Sequence, residues 1–222
     1  MSALVDAVRA EARKAATQPV LWATGAAAVA GAVAVTLLVR RSFADAPAAE
    51  LVGVALGLVQ AGPVAAGAVL GAAEYRGGLH GTSMLAVPRR GLLLVARWAV
   101  GVAVLAAVAG LVVAAVAAAA GVPVGESGGL GPQVLWVAAS AWAAMLVADA
   151  ARSALAGTSA VLAVLWIAPA ALRAGLPEWV RLLPDRVGAV MLDGTWPDAP
   201  WVALAWLGAC AAVGAAAAWR EA

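Results

Sequence analysis

Residues 74–97 read EYRGGLHGTSMLAVPRRGLLLVAR, the one long polar and basic interruption in a chain that is otherwise apolar almost from end to end. The stretch carries Glu74, Arg76, His80, Arg89, Arg90 and Arg97, and Gly77-Gly78 and Pro88 stop a single helix from running through it. Charges at that density belong in water or among lipid headgroups, because each is costly in hydrocarbon. What precedes and follows the stretch therefore reads as membrane.

Composition points the same way. Of 222 residues, 65% are hydrophobic and 12% charged, with a mean hydropathy of +0.96. Soluble domains run about half apolar and a quarter charged. The net charge is only +2, and the basic residues lie between apolar runs. A pI near 9.3 thus expresses topology and gives no reason to expect nucleic acid as a partner. Cys210 is the single cysteine, so no internal disulfide can form. In its apolar run it reads as an inert buried thiol.

The expected fold is an all-α integral membrane protein. A helix needs about 20 apolar residues to cross the hydrocarbon. Uncharged or nearly uncharged runs of that order predict six transmembrane helices, at about 19–39, 51–73, 92–120, 133–148, 154–172 and 201–219. The third begins at Leu92 or at Trp98. The run at 19–39 exceeds the h-region of a signal peptide, about 7 to 15 residues, and reads as retained. Residues 1–18 predict an N-terminal interfacial helix, with Leu4, Val8, Ala12 and Ala15 along one stripe and Arg9, Arg13 and Lys14 elsewhere. The segment 74–91 joins spans two and three. The loop 173–200 interleaves apolar residues with Arg181, Asp185 and Arg186, and Pro177, Pro184 and Gly188 limit it to short amphipathic outer helices.

Within the spans, a few residues break the apolar monotony. Gln60 and Pro63 sit near the middle of span two, and Pro63 has no N–H for the carbonyl of Val59, which predicts a bend and a spare acceptor. Gly53 with Gly57, and Gly67 with Gly71, form two G-x-x-x-G pairs that serve either a dimer seam or ordinary bundle packing. Asp149 and Arg152, three apart, are placed to face each other on a helical turn, as a boundary ion pair or as a gating element. Gln60, Pro63, Asp149 and Arg152 are accordingly the candidates for a pathway or gate. Residues 125–129, GESGG, match G-x-S-x-G formally. A nucleophile elbow needs a preceding strand and a nearby histidine, whereas His80 falls on the opposite face, so the match reads as a Gly-rich turn.

Basic residues set the orientation. With the N-terminus inside, Arg9, Arg13, Lys14, Arg76, Arg89, Arg90, Arg97, Arg152 and Arg220 are cytoplasmic, against Arg40, Arg41, Arg173, Arg181 and Arg186 outside. Trp22, Trp98 and Trp219 then mark the inner interface, and Trp136, Trp179, Trp196 and Trp201 the outer one. Six spans leave both termini in the cytoplasm, with the chain multi-pass in the cell membrane.

Several of these strings also carry a family likeness. Glu74-Tyr75-Arg76, then Gly78, then Leu85-Ala86-Val87-Pro88-Arg89-Arg90 resembles the cytoplasmic segment between the second and third spans of ABC-2 type transporter permeases, chiefly the actinobacterial ones. Leu79 stands where relatives usually have threonine, and Arg97 where many have lysine. The RAEARK of residues 9–14 resembles the basic helix ahead of their first span. The LPEWVRLLPDRVG of residues 176–188 resembles the short helices that cap the outer end of their pathway. The resemblance implies the membrane subunit of an ABC exporter, paired with itself or a close relative as a homodimer or heterodimer, and driven by a cytoplasmic ABC ATPase. Docking of that ATPase then falls to Arg9, Arg13, Lys14, Glu74, Arg76, Arg89 and Arg90. With no large outer domain, an amphiphilic or hydrophobic substrate is expected.

The chain has little chemistry of its own. It contains no G-x-x-x-x-G-K-[ST], and its one lysine, Lys14, lies between Arg13 and Ala15, so ATP is expected on the partner and no cofactor here. One cysteine and one histidine make no zinc site, and H-E-x-x-H is absent. The chain is not expected to be an enzyme. The alternative is a stand-alone secondary carrier or a polytopic membrane enzyme. A carrier would hold coupling charges mid-membrane and interrupt helices at corresponding positions of two repeats. By sequence only Gln60 and Pro63 interrupt a span, without a counterpart.

Overall fold

The computed structural model describes residues 3–73, 75, 90–122 and 130–175, with isolated helical positions at 205, 208, 209, 212 and 216. The described residues are helical, with turns between the helices and no strand. In chain order the helices are α1 (Ala3–Ala16), α2 (Pro19–Ser42), α3 (Ala48–Val59), α4 (Ala61–Ala72), α5 (Arg90–Ala120), α6 (Leu130–Ala151), α7 (Ala154–Leu162), a π-helical turn (Ala163–Ile167) and α8 (Ala168–Gly175). Among the described residues, five segments are long and apolar enough to cross a membrane: Pro19–Ser42, Glu50–Ala72, Gly91–Ala120, Leu130–Ala151 and Ala154–Ala171. They match the first five expected spans. Most of the run at 201–219, the loop 173–200 beyond Gly175, and residues 125–129 lie outside the described residues.

The second span is two helices because of one residue. Pro63 offers no N–H to Val59, and the helix divides between Val59 and Ala61 although Gln60 keeps helical angles, φ −57° and ψ −25°. The ladder resumes at once, with Val64 N–H donating to the Gln60 carbonyl at 3.2 Å. The two halves join different cores. Leu51, Val52, Ala55, Leu56 and Val59 pack with α2, α5 and Val137 in one cluster. Val64, Ala68 and Ala72 pack with α6 and α7, while Ala66 and Leu70 join Ala15, Leu21, Val100, Leu105, Ala141 and Met145. A second interruption lies in the fifth span. Pro169 has no N–H for the Leu165 carbonyl, and the preceding turn widens into a π-helix closed by Ala168 N–H on Ala163 O. The fifth span is thus interrupted as well as the second.

Helix α4 packs most extensively against α6, and Gly67 and Gly71 are the reason. A Cβ on Gly67 would lie 2.7 Å from the carbonyl carbon of Ala141, and one on Gly71 2.9 Å from that of Met145, so only glycine lets the two backbones meet. This pair is therefore an internal seam of one bundle. The other pair differs: Gly57 has open space where a Cβ would stand, and its neighbours Val54 and Leu58 are exposed.

Helix α1 forms over Ala3–Ala16. Ala7, Glu11 and Ala15 are buried, while Leu4 and Val5 are exposed and so is Ala12. The helix packs on α5. Ala15 and the half-buried Val8 join an apolar cluster with Leu21, Leu70, Val100 and Leu105, and Glu11 lies beside Arg97. The join to α2 is well satisfied: Trp22 Nε1–H donates to Ala16 O at 2.9 Å, and the Thr17 hydroxyl donates to Arg13 O and Lys14 O at 3.1 Å each.

Candidate functional site

The end of the bundle where α1 lies holds Glu11, Lys14, Arg97 and Asp149, the charged residues tied into the packing. Arg97 was read as part of the wet segment 74–97; instead it sits two turns inside α5 with only 9% of its surface exposed. Its Nη1 lies 2.9 Å from Asp149 Oδ1 on α6, and its Nη2 donates to the carbonyl of Gly71 in the last turn of α4. Gly71 lies in the last turn of α4, so the guanidinium bonds to the end of α4 while it neutralises Asp149 of α6. Asp149 near the C-terminal end of a helix is electrostatically unfavourable by itself, and Arg97 offsets this.

A second donor converges on the same oxygen. Tyr75 OH donates to Asp149 Oδ1 at 3.0 Å, and the Arg152 guanidinium lies 5.5 Å over the Tyr75 ring. Asp149 and Arg152 both meet Tyr75 at this site. Helix α6 ends at Ala151, and Arg152 takes the left-handed conformation, φ 53°. The terminus is closed by Arg152 N–H on Asp149 O at 3.2 Å and Ser153 N–H on Ala148 O at 3.1 Å, a Schellman pattern with arginine in the place that favours glycine. Ser153 then starts α7, its side chain accepting from Ala156 N–H.

Between α1 and the ends of α4 and α5 lies a cavity of about 20 Å³, lined on its polar side by Glu11, Lys14, Gln18 and Arg97. That is room for one water. Glu11 and Lys14 pair across one helical turn at 3.4 Å. The basic residues of α1 are therefore divided: Lys14 is turned toward the bundle, whereas Arg9 and Arg13 are exposed. Trp98 and Trp142 meet edge to face nearby, with centroids 6.1 Å apart, and their buried indole N–H groups have no hydrogen-bond partner.

Gln60 and Pro63, the other gating candidates, lie apart from this cluster in the middle of the bundle. Gln60 is buried and its amide donates to Ser140 Oγ at 2.7 Å; Ser140 in turn donates to Trp136 O at 2.9 Å. Pro63 is buried and acts through the break it makes. Trp136, read as part of an outer aromatic belt, is a core residue, 7% exposed. Of the docking candidates, Glu74, Arg76 and Arg89 lie outside the described residues, and Arg90 is the first residue of α5.

No protein-family model, curated protein or solved structure matches the chain. The site's own geometry therefore carries the argument. Sequence reasoning missed Arg97, Tyr75 and Ser140 as site residues. The available signal was a lone arginine seven residues into an apolar helix that began at Arg90, a position where a membrane helix pairs its charges internally.

Proposed function

We propose that this chain is the membrane subunit of an ABC-type exporter, similar to the ABC-2 permeases, moved by a separate cytoplasmic ATPase that docks on residues 74–91 and on the exposed face of α1. The observation that carries the reading is the anchorage of Tyr75. Tyr75, three residues past the end of α4, is tied by its hydroxyl to Asp149 of a buried ion pair shared by α4, α5 and α6. The absence of a P-loop in the sequence means that ATP energy has to arrive from outside the chain. In this reading the α1 end faces the cytoplasm of a cell-membrane protein with six spans, two subunits enclose the path, and the cargo is an amphiphile or a hydrophobic molecule. Gly53 and Gly57 are the G-x-x-x-G pair left over for the subunit seam.

The test is gentle purification from the native host. A P-loop ATPase should accompany the wild-type chain, and Glu74→Lys, or Arg89→Glu with Arg90→Glu, should strip it away while membrane insertion persists. Truncating one partner of a desolvated charge pair costs about 2 to 5 kcal/mol, enough to separate two proteins.

One observation favours a second reading, a secondary carrier. The Pro63 break and the π-helical turn at Ala163–Ile167 interrupt two different spans, and broken helices line carrier sites. Transport by the purified chain alone on an ion gradient would establish it.

A further inference from the structure

Among the described residues, two buried side-chain polar atoms have no hydrogen-bond partner, and both belong to one pair: the indole nitrogens of Trp98 on α5 and Trp142 on α6. The rings meet edge to face, with centroids 6.1 Å apart and planes at 87°. In that arrangement at most one N–H can turn onto the other ring's face, a weak substitute for an oxygen acceptor. A buried donor without an acceptor is costly, and two side by side call for a common explanation.

Their surroundings say what acceptor fits. Helices α5 and α6 run antiparallel here, since Arg97 near the start of one meets Asp149 near the end of the other. On α5, Trp98 shares a face with Val95 and Val102, spaced i, i+3, i+7; on α6, Trp142 shares a face with Leu135 and Ala138 at the same spacing. Val95, Val102 and Leu135 are exposed, while Ala138 and both tryptophans are half-buried. The two outward faces therefore converge on the tryptophan pair and form a groove open to the hydrocarbon, with two donors at its floor. Water fits this floor poorly, because it brings donors of its own and the apolar walls offer them no acceptor. An anion is not called for either, since Arg97, the cation next to Trp98, is already matched by Asp149.

We infer that the groove holds one glycerophospholipid of the surrounding bilayer by its two ester carbonyls, each accepting from one indole N–H. An ester carbonyl accepts and donates nothing, and two of them on neighbouring carbons of one glycerol match two adjacent donors. Val102 and Leu135 both lie on the side of the pair away from α1, so the acyl chains run along them and the headgroup points toward the α1 end. Seating the lipid turns the ring edges outward, a side-chain movement that half-buried rings allow. The site stands apart from the exporter reading and needs only a bilayer.

The experiment uses the full chain, purified in mild detergent and given equal amounts of ester-linked and ether-linked phosphatidylglycerol of the same chain length. The two share every feature except the carbonyls, and native mass spectrometry reads which is retained. Wild type should retain the ester form over the ether form about tenfold, which two hydrogen bonds of ordinary net strength supply. In Trp98→Phe with Trp142→Phe the ratio should fall to about one, and in the control Trp166→Phe, an exposed tryptophan of the fifth span, it should stay near ten. Equal retention by wild type would overturn the site, and that comparison requires no variant to fold. A preference that survives the double substitution, or that disappears equally in Trp166→Phe, would also overturn it, by placing the lipid elsewhere.

Discussion

Two helix ends in this bundle are closed by the same pair of backbone bonds and by different residues. Helix α5 closes with Gly121 N–H on Ala118 O and Val122 N–H on Ala117 O, and Gly121 has φ +82°. Helix α6 closes with the matching bonds of Arg152 and Ser153, and Arg152 has φ +53°. Glycine takes this conformation freely, whereas a residue with a Cβ loses about 1–2 kcal/mol. At the Gly121 end a single exposed Arg40 donates to Ala119 O at 3.2 Å, and nothing else charged is bound into the described structure there. At the other end Arg97, Asp149, Tyr75 and Arg152 interlock. The difference separates an end that simply turns the chain from one that keeps a strained arginine in order to hold a side chain over Tyr75.

Removing one guanidinium from each end should give the widest contrast. Arg97→Ala leaves Asp149 buried without its cation and Gly71 O without its donor, a loss of about 3–5 kcal/mol. Arg40→Ala removes an exposed donor and should cost no more than about 1 kcal/mol. Unfolding of each variant in a mild detergent series measures both. Equal costs would erase the distinction between the ends. In the double variant Arg97→Ala with Asp149→Ala, part of the loss should return, because the orphaned carboxylate goes with its partner.

The two G-x-x-x-G pairs come next in size. Gly71→Ala pushes a methyl into the α6 backbone at Met145 and should destabilise by about 1–3 kcal/mol. Gly57→Ala meets nothing and should be neutral or gain up to about 1 kcal/mol from helix propensity. Thermal aggregation midpoints compared side by side decide it; if Gly57→Ala proves the worse, the seam has been assigned to the wrong pair.

The smallest effects belong to the termini themselves. Gly121→Ala should lose about 1–2 kcal/mol to its left-handed backbone. Arg152→Gly relieves a similar strain, which offsets part of what the guanidinium's contacts contribute, the one over the Tyr75 ring among them, so its net loss should be the smaller. Matched denaturation curves for the two substitutions test this. A large loss in Arg152→Gly would mean that Arg152 stabilises far more than its place over one ring explains.

Much of the architecture was readable from composition alone, since five apolar runs of span length leave a chain few alternatives, and Pro63 announces its own break. The contents of the α1 end were not. The periodicity of α1 marks a stripe of Leu4, Val8, Ala12 and Ala15 for the membrane surface, but gives no sign that Glu11 is buried, because the surface beneath it carries Arg97 and a water-sized cavity that no pattern within α1 encodes. Arg97 itself looked like the tail of a wet segment, since its partners stand 26 residues before it at Gly71 and on α6 at Asp149. Trp136 looked interfacial for the same reason: its side chain's neighbours are set by tertiary packing. Local rules see which groups must find partners, and only the packed chain says which partners they find.

The central claim is that the end bearing α1 and the Arg97–Asp149 pair faces the cytoplasm, within reach of an ATP-driven partner. It is tested most directly by a membrane-impermeant thiol reagent applied to intact cells expressing Cys210→Ser chains with a single new cysteine, either at Ala10 on the exposed face of α1 or at Asp45 between α2 and α3. The account predicts that Asp45→Cys is labelled in intact cells and Ala10→Cys only after the membrane is permeabilised. The reverse result would place the α1 end outside the cell, beyond reach of a cytoplasmic ATPase, and would contradict the account.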